Sequence, residues 1–417
     1  MKTDFDVIVV GGGLAGLAAA ATAARGGAST VVLEAHQPGG RARTTERNGF
    51  VFNNGVHALF TGGPGMSVLT SLDIRLQGSP PPLGQYMLLA AGRKHRLPLG
   101  PESLEQTTFF DGADKAQFAA LAGRMAAVDP PSLQGLSIGD WLAGQDLRHR
   151  VDAVVRALFR LSTYAADLDR FAADAALAQQ QAAARGGVLY LDDGWSQLVR
   201  SLSSGTDLRT GAAVRNVSGD ATDASVHTDD GTLTARAVIV ATGTPQAARA
   251  ILVDVPDWGP LGEPVTAACL DAGVHGVPTP GYVVGIDDPL YGTVQSPPAR
   301  QSPAGTSVVG VIRYGARSAA QDRGDLEAHL REMGVADQDV VERRFLARMI
   351  VSGAMPIAAT GGLAGRPSIT ATGARRVFLA GDWVGPHGLL ADAALASGQA
   401  AARAALRAVG AGSVNVA

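Results

Sequence analysis

A short apolar run, Val7–Val10, passes directly into Gly11-Gly12-Gly13-Leu14-Ala15-Gly16 and then into an alanine-rich stretch, which leaves few folds open to the chain. The β-branched run reads as a buried parallel strand and Leu17–Ala24 as a helix, so the Gly-x-Gly-x-x-Gly lies at a strand-to-helix turn. There Gly11 permits the tight turn, Gly13 lets a diphosphate approach the backbone, and Gly16 lets helix pack on strand. The helix start offers unbonded N–H groups and the positive end of its dipole. A second strand ends on Glu34, an acid placed to take two ribose hydroxyls. A chain with 53 glycines produces isolated copies of this motif by chance. Strand, motif, helix, strand and acid in the required order argue against a glycine turn without a ligand. The expected fold class is α/β, with a Rossmann-like domain at the N-terminal end.

At 417 residues and 46% hydrophobic content, the chain is long enough for two or three domains with substantial cores. A formal charge of −3 is too small to argue for nucleic acid. Cys269 is the only cysteine, which excludes an internal disulfide, a redox dithiol and a cysteine-based metal cluster. No His, Asp and Glu grouping has metal-ligand spacing, so no metal is expected. The first strand begins near residue 6, too early for a signal peptide, and no apolar run reaches the ~18 residues of a spanning helix. A soluble, cytoplasmic protein is expected, with peripheral membrane contact still open.

After Glu34 and Ala35 the chain continues into Gly39-Gly40-Arg41-Ala42-Arg43. The glycine pair lets the backbone pass close to a bound diphosphate, and Arg41 or Arg43 can neutralise it; the alternative is an exposed turn with scattered charge. Gly49–Leu59 then reads as a strand leading into a turn at Gly55-Val56-His57. Together these segments resemble the flavin-binding start of the amine oxidase and phytoene desaturase superfamily. Its members carry a Gly-Gly-Arg step followed by a short glycine-containing segment near the isoalloxazine ring. The resemblance implies a Rossmann-like FAD-binding domain of the glutathione reductase type 2 family with an inserted α+β substrate domain. FAD would then lie along Gly11, Gly13, Leu14, Ala15, Gly16, Glu34, Ala35, Gly40, Arg41, Ala42, Gly55, Val56 and His57.

Three later segments extend it. Asp207–Val217 reads as one alternating strand, and the resemblance gives the Val214 backbone the adenine edge. Ala241-Thr242-Gly243, at the end of a buried strand, resembles the second fingerprint of two-dinucleotide flavoproteins. Gly381-Asp382, followed by a helix rich in Ala and Gly, resembles the element whose Asp accepts a hydrogen bond from the ribityl chain. Backbone at Leu390 and Ala391, with Ala394 one turn on, would face the pyrimidine end, where the helix dipole stabilises charge added on reduction. His57 is the candidate catalytic group, a neutral imidazole acting as base or donor, against an alternative in which it is bonded to backbone. His387 and Arg313 are weaker candidates.

Residues 63–185 carry helical spacing and scattered aromatics without a motif, and Val265–Arg313 carries short alternating strands. The expected division is therefore 1–62, 186–256 and 346–417 for FAD, and 63–185 and 257–345 for substrate. Two departures disfavour an amine oxidase: Leu390 stands where amine oxidases usually place an aromatic cage wall, and no lysine follows Lys115. The C-terminal motif is most similar to phytoene dehydrogenase-type desaturases. No second Gly-x-Gly-x-x-Gly marks an NAD(P)H domain, so oxygen or a quinone is the expected acceptor. The expected function is FAD-dependent removal of a hydride from a C–H bond of a hydrophobic or polycyclic small molecule. The alternatives are a flavin amine oxidase and a non-redox isomerase or binding protein.

Overall fold

The structure is a computed structural model that describes residues 3–253 and 255–410. The outermost parts of the expected FAD ranges, 1–2 and 411–417, and residue 254 lie outside the described residues. The chain opens with β1 (Phe5–Val10), α1 (Leu14–Arg25) and β2 (Thr30–Glu34). In α1 only Thr22 is β-branched, and small alanines let the helix lie close on the strands. β3 (Thr44–Arg47) and β4 (Phe50–Asn53) form a hairpin over Asn48-Gly49, both at positive φ, the geometry that favours Asn-Gly. β5 (Leu59–Phe60), α2 (Pro64–Ser71) and β6 (Gly78–Ser79) follow, then a second hairpin of β7 (Met87–Ala90) and β8 (Arg93–Arg96).

Helices α3 (Pro101–Gln106), α4 (Gly112–Ala127), α5 (Ile138–Ala143), α6 (His149–Thr163) and α7 (Ala173–Gly186) occupy the stretch that lacks motifs. β9 (Val188–Leu191) and α8 (Ser196–Ser203) lead to β10 (Asp207–Thr210), β11 (Val214–Gly219), β12 (Ala224–Thr228), β13 (Gly231–Val240) and α9 (Pro245–Ile251). The single strand expected over 207–217 is two, because Gly211 at φ +71 breaks it and sends its halves to different sheet positions. β14 (Val265–His275), β15 (Val283–Gly285), β16 (Leu290–Ser296), β17 (Thr306–Tyr314), α10 (Ala319–Glu332) and β18 (Val340–Ser352) come next. β19 (Val377–Leu379) and α11 (Leu390–Val409) close the described chain.

The first sheet runs β10-β2-β1-β13-β12-β11. The first half of β13 pairs antiparallel with β12, and its last three residues pair parallel with β19. Val7 and Val9 face the small residues of α1 and α11, whereas Ile8 and Val10 pack with Leu379 and Trp383 on the other face. Register aligns Val10 with Val240 and Val240 with Leu379. The carboxyl ends of β1, β13 and β19 therefore release Gly11, Ala241 and Ala380 side by side, at the edge where parallel sheets bind ligands.

The second sheet runs β18-β14-β17-β16-β15-β7-β8, and the largest core lies between it and the helical block. β18 runs on to Ser352, through residue 345, where the sequence reading set a boundary. Arg343 and Arg344 interrupt its apolar pattern and hide it as a strand. All six tyrosines of the chain, Tyr86, Tyr164, Tyr190, Tyr282, Tyr291 and Tyr314, belong to this one core.

Candidate functional site

The first glycine turn is built as its spacing dictates. Gly11 sits at φ +104, and a Cβ there would lie 2.5 Å from the carbonyl oxygen of Ala241. A Cβ on Gly16 would lie 1.9 Å from the Gly11 oxygen, so helix α1 cannot approach its strand with any side chain at that position. Gly13 is different: its backbone is extended, and a Cβ would meet nothing within 4 Å. Gly13 is also the N-cap of α1 and supplies no side-chain cap, and the first helical bond is donated by Leu17. The N–H groups of Leu14, Ala15 and Gly16 precede that bond at the positive helix end.

The glycine pair lies over this turn. The Gly39 N–H donates to the Gly12 oxygen at 2.7 Å, and a Cβ on Gly40 would stand 3.5 Å from the Gly13 Cα. Glu34 closes the other side: Oε2 accepts from the Gly12 N–H at 2.7 Å and Oε1 from the His36 N–H at 2.8 Å. Each oxygen keeps a lone pair free. Ala35 is exposed beside it, and the Ala212 N–H donates to the Glu34 oxygen at 3.0 Å, which brings half-buried Val214 close to the acid.

Arg41 and Asp382, remote in sequence, meet. The guanidinium holds the carboxylate in a fork, Nη1 to Oδ2 at 2.7 Å and Nη2 to Oδ1 at 2.8 Å, and Nη1 also donates to the Val351 oxygen at 2.9 Å. The Gly353 N–H donates to Asp382 at 3.0 Å. Burial opposes ionisation of Asp382, but the Arg41 charge and these bonds outweigh it and hold the carboxyl below its ordinary range. The sequence aimed Arg41 or Arg43 at a diphosphate; the Arg41 fork points to Asp382 and Arg43 is exposed. Gly243, at φ +86, offers its oxygen to Arg41 Nη2 at 3.5 Å. Ala42 and Ala394 are buried, and Gly381 is pinned to α11 through Ser397, whose hydroxyl accepts from the Gly381 N–H at 2.9 Å.

The segment Gly55-Val56-His57 is fixed from several directions. Gly55 is at φ +92 against Met349, the Val56 oxygen accepts from Tyr164 Oη at 3.2 Å, and the His57 oxygen accepts from Gln295 Nε2 at 3.0 Å. Gln295 is joined to Asn53, whose side-chain oxygen takes the Trp195 N–H. The His57 ring lies edge-on to Trp195, 4.8 Å between centroids, with Nδ1 2.9 Å from the Gly55 oxygen. Burial lowers its pKa, and the nearby Arg344 and Arg41 charges act in the same direction, so the imidazole is neutral. Beneath the segment, Arg344 pairs with Asp271 through Nη2 at 2.6 Å and donates to the Asn53 oxygen.

His387 is exposed, and Arg313 faces Asp322 on α10, so neither joins this group. The sequence reading missed Asn53, Trp195, Asp271, Gln295, Arg344 and Arg366. No local motif marks them; the Asp271–Arg344 pair follows only from the register of β14 on β18.

Among the described residues, Thr242 Oγ1, Trp195 Nε1, Trp383 Nε1, two nitrogens of Arg366 and Asp392 Oδ2 are buried without a hydrogen-bond partner. Such orphans, an empty space over Gly13 and an uncapped helix start fit an extended dinucleotide with many polar atoms. Among the described residues no His, Cys, Asp and Glu grouping suits a metal ion, and no helix is long and apolar enough to cross a membrane.

A family model described as flavin containing amine oxidoreductase matches residues 14–276, well over half of the chain. No curated protein matches the sequence. Among solved structures, a double mutant of putrescine oxidase is similar over 97% of this chain and 99% of its own, with a TM-score of 0.74 and 17% identity. A putative protoporphyrinogen oxidase from Exiguobacterium sp. is similar over 98% and 100%, with a TM-score of 0.71 and 17% identity. Cyclohexylamine oxidase from Brevibacterium oxydans is similar over 97% and 99%, with a TM-score of 0.71 and 18% identity. At these identities the likeness is one of fold.

Proposed function

From the premise that the chain belongs to the family of flavin-containing amine oxidoreductases, we propose that it is a desaturase or dehydrogenase. It removes a hydride from a C–H bond of an apolar or polycyclic small molecule, with loss of a proton from the adjacent carbon or nitrogen to a base or solvent, and leaves a C=C or C=N bond. The broader class is plain: the chain is an FAD-dependent oxidoreductase. The finer reading rests on the lysines. Lys115 is the last in the chain, so the lysine that amine-oxidising members of the superfamily take from the second substrate segment has no counterpart. Leu390, half-buried and aliphatic at the start of α11, supports the same reading.

FAD, when bound, supplies the hydride acceptor. Gly13 and the first turn of α1 would hold its diphosphate, with Leu14, Ala15 and Gly16 donating. Glu34 and Val214 would take the adenosine end, and Asp382, kept ionised by Arg41, the ribityl region. Ala35, Gly40, Ala42, Ala241, Thr242, Gly243, Gly381 and Ala394 would line the path between. The turns at Gly55–His57 and Leu390–Ala391 would flank the ring. With Nδ1–H donating to the Gly55 carbonyl, the neutral His57 ring keeps Nε2 as its acceptor, the atom that would take a proton in this reading. The core of buried tyrosines and aliphatic side chains keeps water from the substrate side.

The division into an FAD region and a substrate region is retained as a proposal, with the last boundary after Ser352 instead of 345. Oxygen or a quinone, in the cytoplasm, is the proposed acceptor. The name putative protoporphyrinogen oxidase on one neighbour supports a polycyclic substrate, whereas putrescine oxidase and cyclohexylamine oxidase support the second reading, an amine oxidase. Anaerobic mixing of the yellow holoprotein with a polycyclic and isoprenoid panel, and separately with an amine panel, separates the two. Bleaching of the flavin band by the first panel alone is the expected result; bleaching by amines alone overturns it.

A further inference from the structure

The loop at Gly361–Pro367 passes between the N-terminal end of α7 and the turn that precedes α11. It is fastened at both ends: Asp174 on α7 accepts from the Leu363 N–H at 3.0 Å, and the Gly385 N–H donates to the Pro367 oxygen at 2.9 Å. Arg366 projects between them. Its Nη1 donates to the Gly388 oxygen at 2.9 Å, while Nε and Nη2 are buried with no hydrogen-bond partner among the described residues. These two nitrogens form one edge of the guanidinium, the edge that grips planar pairs of acceptors.

The carboxylates that attract Arg366 are already engaged. Asp382 is held by Arg41 and the Gly353 N–H, and Asp174 by the N–H groups of Ala175 and Leu363. Asp392, in the first turn of α11, points to α2, where it accepts from the Gly65 N–H at 2.8 Å. Burial pulls the Arg366 pKa down to about 10, against the pull of Asp382 and Asp174, which leaves a cation at neutral pH. A desolvated cation with two idle donors is unfavourable unless a ligand accepts from them.

A second feature meets the first. Helix α11 is 20 residues long, and its N-cap, Leu389, offers no side-chain bond to the first turn. Leu390 is held at φ +54, in the left-handed region that a side chain of this kind rarely adopts. The Gly388 carbonyl that anchors Arg366 lies just ahead of it.

We propose that Arg366 and the first turn of α11 form a receptor for a planar, delocalised anion that presents two acceptor atoms in one plane. The proposal rests on the FAD reading above. Two groups have this chemistry: the pyrimidine edge of FAD, which gains negative charge on reduction, and a carboxylate of the substrate. Both are served by a fixed cation at the positive end of a helix.

The experiment uses FAD-replete wild type, R366M and R366K, with R366Q as substitute should R366M not fold. Sulfite affinity, read from bleaching of the flavin band, reports stabilisation of charge on the pyrimidine edge; benzoate, read from perturbation of the same band, reports a carboxylate site. If the cofactor edge is the ligand, R366M weakens sulfite binding by about tenfold or more, with R366K within about threefold of wild type. If a substrate carboxylate is the ligand, R366M leaves sulfite unchanged and weakens benzoate by a similar factor. Unchanged sulfite and benzoate responses in flavin-replete R366M overturn the proposal and leave the FAD reading intact. Wild type purified without flavin overturns that reading, and the receptor with it.

Discussion

A side chain at Gly13 would meet nothing within 4 Å, so packing alone does not demand glycine there, whereas it does at Gly11 and Gly16. Gly13→Asp is therefore expected to fold with unchanged circular dichroism and to emerge colourless, its carboxylate lying where the diphosphate would. Retention of a full flavin complement would exclude the site from the first turn. Asp392 gives a pH signature. Burial raises its pKa from 3.8 to about 6, only partly offset by the Gly65 N–H. Between these values the folded state binds the extra proton, so stability falls as pH rises from about 4 to about 6 and is level above. Asp392→Asn keeps an acceptor for Gly65 without the charge. It is expected to match wild type near pH 4 and to be more stable near pH 7.5 by up to about 3 kcal/mol, less whatever the two adjoining helix ends return to the carboxylate. Denaturant titrations at the two pH values check this; an equal gap at both excludes Asp392 as the source. The glycine roles were legible because a turn is local. The Arg41–Asp382 fork was not, because nothing in either neighbourhood names a partner 341 residues away.

At the scale of elements, α1 and α11 lie together through backbone and small side chains. A Cβ on Gly398 would stand 2.2 Å from the Ala15 oxygen, so Gly398→Val drives α11 off α1. A loss of about 1–3 kcal/mol or more is expected, seen as a lower thermal midpoint, together with weaker FAD retention because Leu14 and Ala15 move. A variant with an unchanged midpoint would mean that the helices do not meet as closely as described. The alanine pattern announces both helices. β18 stayed hidden because Arg343 and Arg344 break its apolar pattern; on this mostly half-buried edge strand Arg344 is itself buried, held by Asp271 and the Asn53 carbonyl. The 207–217 segment was read as continuous because its alternation survives across Gly211, where the chain in fact leaves one sheet position for another.

Across the whole molecule, chemistry is partitioned. All six tyrosines lie in the core beside the second sheet. Burial raises the pKa of Tyr86, Tyr164, Tyr282, Tyr291 and Tyr314. These five phenols are therefore expected to stay protonated at about pH 11 and to ionise only with unfolding, and because the folded state keeps their protons longer, stability falls as pH climbs past the ordinary tyrosine value of about 10. A smooth rise in their phenolate with no loss of helicity would contradict this placement. The first sheet was legible as a fold because its three glycine-bearing strand ends carry motifs; the second carries none, and its order comes from pairing alone. One consequence concerns synthesis. β19 adds to β13 and α11 covers α1, yet each is made long after its partner. A nascent polypeptide thus carries a half-built nucleotide groove for much of translation, with the apolar side of its first helix bare until α11 arrives.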